Sequence, residues 1–539
     1  MPTVSGLGAY AHVAHRLGRL IFRPCTPENA RARIRQRLAV RDWLFLQVVE
    51  REIWLHAASP YKRMLAWAGW SMDRLAESVR LRGLEATLGA LRDAGVFLTY
   101  EEFKGWKPIE RAGFTLQCSE SDFDNTKVRA AFELRTSGTR SRGSRVPASL
   151  DYLADQRTPA RCVMLEALGV GSWPIIVWKP AVAHGGGLVW WLALAHMGRP
   201  ALRWFSMTDP SGAAVPRRHR VMFRLGQLMG MTRGLRIPYP EYAPLADADM
   251  VLDAVRAARD RHGGCVVAVS PSVGVRLAGL ARQRRIDLEH VTFVVSGEPL
   301  TPGKYEEIMR SGAGIGARYS ITELGSVGSA CARPVAIDDV HLMSDSFALI
   351  LNRRPLPDGT LVDSLVFTTL LPSSPKILLN VESDDFGDVT IRRCGCIWDE
   401  LGMHTHLSAI RSFSKLTGEG VTVLGTDCVR ILEQVLPQAF GGRSIDYQLL
   451  EAEDDEHMTR IYLVVSPVVG PIDEARIRAR FIEELGGRNR SQSVMPPLWR
   501  EAETIRVVRR EPVLTAGGKH LPFHTQALVS GGPEPLRQQ

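Results

Sequence analysis

The chain has 539 residues, of which 45% are hydrophobic and 23% charged, and a formal net charge of +9. That length exceeds one ordinary hydrophobic core and implies two or three domains, while the apolar share excludes a disordered chain. Eight cysteines at this length exclude a disulfide scaffold, and the most apolar run, 185–195, is too short to cross a bilayer.

Arginine carries the positive charge, because only nine residues are lysine. Guanidinium groups suit phosphate and carboxylate ligands. No basic tract with interleaved aromatics accompanies them, so a nucleic-acid partner is not indicated. The stretch 7–22 mixes Ala, His and Arg and reads as amphipathic rather than as a secretory leader. The reading is a cytoplasmic protein of a reducing compartment, with no membrane partner.

Residues 31–52, 61–68 and 71–94 carry apolar side chains at helical spacing, so 1–110 reads as a helical lead-in. A short apolar run at 130–134 reads as a strand and opens into 135–145, a loop of Ser, Thr, Gly and Arg. Such a loop either closes its backbone N–H groups around phosphate oxygens or is a flexible surface segment. It holds no GxxxxGK[ST] pattern, which argues against a P-loop NTPase.

A strand at 174–178 then leads through glycines into a helix. Trp178, His184, Trp190 and Trp191 gather there, either as core or as the wall of an acyl pocket. Helices at 246–262, 273–284 and 302–311 alternate with strands at 265–270, 291–295 and 316–319, a pattern of parallel βαβ units with ligands at the carboxyl ends of the strands. Beyond 335 the chain is strand-rich, with strands at 347–351, 364–369, 377–380 and 388–392. From 411 it reads as a compact α+β unit, ending in a disordered tail at 530–539. The expected class is therefore α/β: a large N-terminal domain, 1–410, of parallel βαβ sheets with a β-rich subdomain, followed by a small mobile α+β domain, 411–529.

Four loops fall in one order along the chain: TSGTRSRGSR at 136–145, SGEPL at 296–300, YSITELG at 319–325 and ESDDFGD at 382–388. A fifth, GGKH, lies at 517–520. This order resembles the adenylate-forming superfamily of acyl-CoA synthetases, adenylation domains and luciferases, and most closely its phenylacetate–CoA ligase, coenzyme F390 synthetase and acyl-protein synthetase branch. The resemblance covers roughly 55–525.

The resemblance implies ATP-dependent activation of a carboxylic acid to an acyl-adenylate with release of pyrophosphate. Transfer to coenzyme A follows, or to an amine or carrier-protein thiol. It implies phosphate binding by Thr136, Ser137, Gly138 and Thr139, with Arg142 or Arg145 in place of the usual lysine. It implies an adenine and ribose site of Ser296, Gly297, Glu298, Pro299, Tyr319, Asp385 (with Asp384 as its rival) and Arg411. Thr322 would touch the α-phosphate and Glu323 would hold Mg²⁺. Lys519 would be the catalytic lysine of the mobile domain, hinged near Ser414 and Lys415. Trp178, His184 and Gly185 would shape the acyl pocket, and the branch implies a homodimer. The departures, in the phosphate loop and at Ser383-Asp384-Asp385, leave open a nucleotide-binding scaffold without catalysis.

Three thiols and an imidazole make a complete tetrahedral zinc set: Cys331, His341, Cys394 and Cys396. Relatives in the same branch look similar here. His404 and His406 compete as ligands, and three reduced buried thiols without metal are the alternative.

Overall fold

In the computed structural model, the described residues are 7–135, 145–181, 186–212, 215–355, 361–412, 415–418, 421–424, 428, 430–454, 458–486, 504–513 and 522–525. Among them, twelve strands join in one sheet: β1 (Ile175–Trp178), β2 (Arg203–Ser206), β3 (Glu241–Tyr242), β4 (Cys265–Val269), β5 (Val291–Val295), β6 (Gly314–Ile321), β7 (Gly325–Ala330), β8 (Val340–Leu342), β9 (Phe347–Pro355), β10 (Leu361–Thr369), β11 (Val381–Ile391) and β12 (Thr405–Ser412). The spatial order is β9-β10-β11-β12-β8-β7-β6-β5-β4-β1-β2-β3.

The apolar runs of β1 and β4 are buried at every residue, as strands covered by helices on both faces must be. From β3 to β6 every pairing is parallel; from β6 to β9 every pairing is antiparallel. The expected βαβ half and strand-rich half are thus two parts of one sheet that meet at β6. Between β1 and β4 the strand order reverses, and such a switch opens a crevice at the carboxyl ends.

Helix Ala248–His262 ends at Gly263 in the left-handed conformation, φ 74°, and helix Pro271–Gln283 starts with proline in its first turn. Further along, strands Ile505–Arg509, Thr459–Val465, Tyr447–Glu453 and Phe523–Thr525 form a separate four-stranded sheet with helix Glu474–Gly486, the expected α+β unit.

Several local expectations need correction. The helix expected over 71–94 breaks at Gly83, φ 82°, into Met72–Arg82 and Leu84–Asp93. Residues 377–380 are not a strand. Asn380 turns left-handed there, φ 50°, and its amide donates to the carbonyls of Leu88 (2.8 Å) and Val96 (3.1 Å), tying the helical lead-in to the sheet. β7 was not expected, because its Gly and Ser residues carry little strand propensity.

Candidate active site

The turn between β6 and β7 holds Thr322, Glu323 and Leu324, and it is anchored from behind by residues 152–157. Tyr152 Oη donates to Leu324 O, Arg157 Nη2 to Thr322 O (3.2 Å) and Gln156 Nε2 to Ser326 O (2.5 Å). Gly325 closes the turn at φ 104°, where a Cβ would stand 2.9 Å from Gln156 Oε1, so only glycine fits.

A cavity of about 150 Å³ opens beside this turn at the carboxyl ends of β5 and β6. Gly297, Pro299, Tyr319, Asp385, Arg411 and Ser412 border it. Tyr319 Oη donates to Asp385 Oδ2 at 2.7 Å, and Ser412 Oγ donates to the other oxygen. Burial and the Asp385 carboxylate push the Tyr319 phenol well above its usual range. Asp385 rather than Asp384 opens to the cavity. Arg411 approaches Asp338 at 3.7 Å, and Asp338 also accepts the amides of Ala409 (3.1 Å) and Ile410 (3.3 Å), bracing the chain as it leaves β12. Nothing in the sequence marked Asp338.

Two side chains singled out from the sequence face elsewhere. Glu298 borders the cavity, but its side chain turns away. Its carboxylate is fully buried, accepting Ser272 N (2.7 Å) and Ser272 Oγ (2.8 Å) at the start of helix Pro271–Gln283 and pairing with Lys304 at 3.3 Å. Its carboxylate thus caps a helix, while the residue still lies at the cavity's border. Trp178 is a core residue, not a pocket wall: it is fully buried and its indole donates to Ala243 O at 2.9 Å. Ser296 offers its carbonyl to Lys179 Nζ at 3.2 Å.

Glu323 has a partner that the sequence did not suggest. Lys104 Nζ stands 2.5 Å from Glu323 Oε1 and 3.2 Å from Glu120 Oε1, with its side chain 2% exposed. Burial alone would push the Lys104 ammonium down, yet the two carboxylates hold it above the usual lysine range.

Thr136, Ser137, Gly138, Thr139, Arg142, His184, Gly185, Ser414 and Lys519 lie outside the described residues. Arg145 and Lys415 are described as strand backbone, in register with Arg135 and Leu424.

On the other side of β8, four residues converge. A sulfur or nitrogen from each of Cys331, His341, Cys394 and Cys396 lies within 4.8 Å of the others. His341 Nε2 faces the sulfurs of Cys396 (3.2 Å) and Cys394 (3.5 Å), while its Nδ1 meets Met403 O at 2.9 Å. That outer contact fixes the tautomer with Nε2 free to ligate. The hydrogen bond between Cys331 and Cys396 raises the first thiol and lowers the second, to about 2. His404 turns to Asp399 (2.7 Å). His406 binds Asp339 (2.7 Å), with which it forms a second grouping around Cys331.

No family model matches the chain, and no curated protein sequence does. Among solved structures, its fold is similar to 2-hydroxyisobutyryl-CoA ligase in complex with 2-HIB-AMP and CoA in the thioesterification state, with TM-score 0.55 and 16% identity over 91% of this chain and 90% of that one. This chain shares the fold of a CoA ligase. Fainter likenesses are o-succinylbenzoate CoA synthetase of Bacillus subtilis (TM-score 0.42, 13% identity, 73% and 68% covered) and a mutant of the amide bond synthetase McbA of Marinactinospora thermotolerans (0.43, 14%, 85% and 91%). Among the described residues no helix is long and apolar enough to cross a membrane.

Proposed function

We propose that this chain is a cytoplasmic adenylate-forming ligase, which activates a carboxylic acid with ATP and then transfers the acyl group. The observation that carries this reading is the cavity in which Gly297 and Pro299 from the loop after β5, Tyr319 of β6, Asp385 of β11 and Arg411 of β12 meet in a CoA-ligase fold. The Asp385 side chain, held by Tyr319 and Ser412, suits a pair of ribose hydroxyls, and the Tyr319 ring offers a face to a purine.

In the first step an oxygen of the acid attacks the α-phosphorus, the bond to the β-phosphate oxygen breaks, and pyrophosphate leaves. Such a displacement is catalysed by positioning and by charge stabilisation. Thr322 sits on the turn where the α-phosphate would lie, and Lys519 supplies a mobile positive charge from the domain beginning near 411. Mg²⁺ commonly takes one or two carboxylates together with phosphate oxygens and water, and Glu323 fits that pattern with one oxygen already on Lys104. When bound, the ion would neutralise the phosphates. In the second step a thiol or amine attacks the acyl carbon and AMP leaves. Coenzyme A is the acceptor favoured here, because a solved structure of similar fold is a CoA ligase; an amine or carrier-protein thiol is the alternative.

The three thiols and His341 suit a structural zinc ion: the donor set is complete and the outer hydrogen bond to Met403 O orients the imidazole.

The test is pyrophosphate release with ATP, Mg²⁺ and a panel of carboxylic acids, with and without coenzyme A, against Lys519→Ala. Acid-dependent release that collapses in the variant supports adenylation, and a CoA-bearing product identifies the acceptor. An inert wild type with every acid would favour a scaffold that has kept the fold and lost the reaction.

A further inference from the structure

Beside the cavity, which Arg318 itself borders, three cations are buried together with no counter-ion among the described residues. Lys179 follows β1 at the point where the strand order reverses, Arg318 lies on β6, and Arg161 lies on helix Thr158–Ala167. Their exposures are 9%, 7% and 4%. None forms an ion pair with a carboxylate among the described residues, and their hydrogen bonds go to neutral acceptors. Lys179 reaches Ser296 O (3.2 Å), Arg161 reaches Arg157 O (2.8 Å), and Arg318 reaches Ser326 Oγ (2.8 Å) and Ser320 Oγ (3.5 Å). The Nε atoms of Arg161 and Arg318 have no partner. Both guanidinium groups stand over Trp190, 5.1 and 5.4 Å from its ring centre.

Burying an unpaired charge is costly, and proteins keep such charges only when something neutralises them. The one carboxylate that Lys179 feels is Glu298, already committed to Ser272 and Lys304. Burial, Arg318 and Arg161 together drive Lys179 down to about 7. Among the described residues no carboxylate pairs with these cations, so an anionic group brought by a ligand would match them.

Arg318 borders the same cavity as Tyr319 and Asp385, but the two neighbours turn to different partners. Tyr319 reaches Asp385, whereas its neighbour Arg318 reaches Ser326 and Trp190, as alternation along a strand requires. The carboxylate that reacts would lie at the Thr322–Glu323 turn, and it loses its charge on becoming an adenylate. It cannot be the lasting counter-ion.

We propose that the acid activated here carries a second anionic group, a carboxylate or a phosphate, received by Arg161, Lys179 and Arg318 beside Trp190. This rests on the acid-activating reading of the site. The test compares matched pairs of acids, each a monocarboxylate and its dicarboxylate or phosphocarboxylate counterpart, on the full chain. Binding without ATP is read by calorimetry, and turnover by pyrophosphate release.

The expected result is a preference of about tenfold or more for the doubly anionic member, as charge-assisted hydrogen bonds supply, falling by a similar factor in Lys179→Met and Arg318→Met. Without ligand, both variants should melt at or above the wild-type temperature, because an uncompensated buried charge has been removed. Equal binding of the two members by the wild type overturns the proposal. So does a preference that survives both substitutions, or a marked loss of stability in the unliganded variants, which would assign the cations a structural role. Pyrophosphate release with monocarboxylates alone overturns this inference and leaves adenylation standing. Lys179-dependent binding of dianions with no release from any acid overturns adenylation and leaves the anion site standing.

Discussion

Lys104→Met should be among the most damaging single changes near the site. The ammonium lies 2.5 Å from Glu323 and 3.2 Å from Glu120, and their side chains are 2%, 9% and 16% exposed. Methionine fills the same space between the rings of Tyr100 and Phe103, so packing is largely kept. What is lost is the charge, leaving two carboxylates facing each other out of water. Breaking a buried pair in this way costs about 3–5 kcal/mol.

The assay is urea denaturation of wild type, Lys104→Met, Glu323→Gln and the double variant at pH 7.5 and 5.5. Unpaired buried carboxylates hold a proton in the folded state that the unfolded chain has released, so stability of the single variant should rise as pH falls. The double variant should recover part of the loss. A Lys104→Met protein within about 1 kcal/mol of wild type at pH 7.5, with no pH trend, would mean the pair behaves like a surface salt bridge and would refute the reasoning.

Asp385→Asn should raise KM for ATP by about tenfold or more, the worth of a charge-assisted hydrogen bond, and an unchanged KM in steady-state pyrophosphate assays would remove the ribose assignment. Lys179, facing Arg318, Glu298 and Arg161, is pushed down to about 7 in the folded state. Above that pH the unfolded chain binds the extra proton, so wild-type stability should gain up to about 1.4 kcal/mol per unit relative to Lys179→Met as pH rises through 7 toward the ordinary lysine range. Parallel stability curves for the two proteins would count against it. Cys396→Ser should lose its zinc by elemental analysis and melt at a lower temperature than wild type, and wild type purified without chelator that carries no zinc would end the metal reading.

The loops of this site were legible because their residue types are local signals: apolar runs announce β4, β5 and β6, and the Gly, Ser and Thr that follow announce turns at the carboxyl edge. What a side chain in such a loop faces depends on partners far away in sequence. Glu298 reads as a pocket carboxylate until Ser272 and Lys304 are seen to hold it. Trp178 reads as either core or acyl wall until Ala243 is seen to take its indole, while its neighbour Lys179, a member of the proposed anion site, carries no local signal. Lys104 and Glu323 are 219 positions apart, a separation that no periodicity reports. An absent counter-ion is equally invisible, since the chain is rich in both signs of charge and only packing reveals which cations were left unmatched.

The strand register explains why Asp385 and Tyr319 meet at all. The pairing of β6 with β7 slips between Tyr319 and Ser320, and that of β11 with β12 slips between Phe386 and Asp388. Gly387 occupies the second slip, where a Cβ would stand 2.9 Å from Ser408 O. A bulge re-aims the side chains beside it. Both irregularities fall within two residues of a cavity side chain, on strands from opposite sides of β8 and of the thiol cluster. Cys331 follows β7, His341 lies on β8, and Cys394 and Cys396 follow β11, so an ion there would clamp together the strands whose slips set the Tyr319–Asp385 hydrogen bond. The cluster would thus serve the nucleotide cavity by fixing register rather than by touching the ligand.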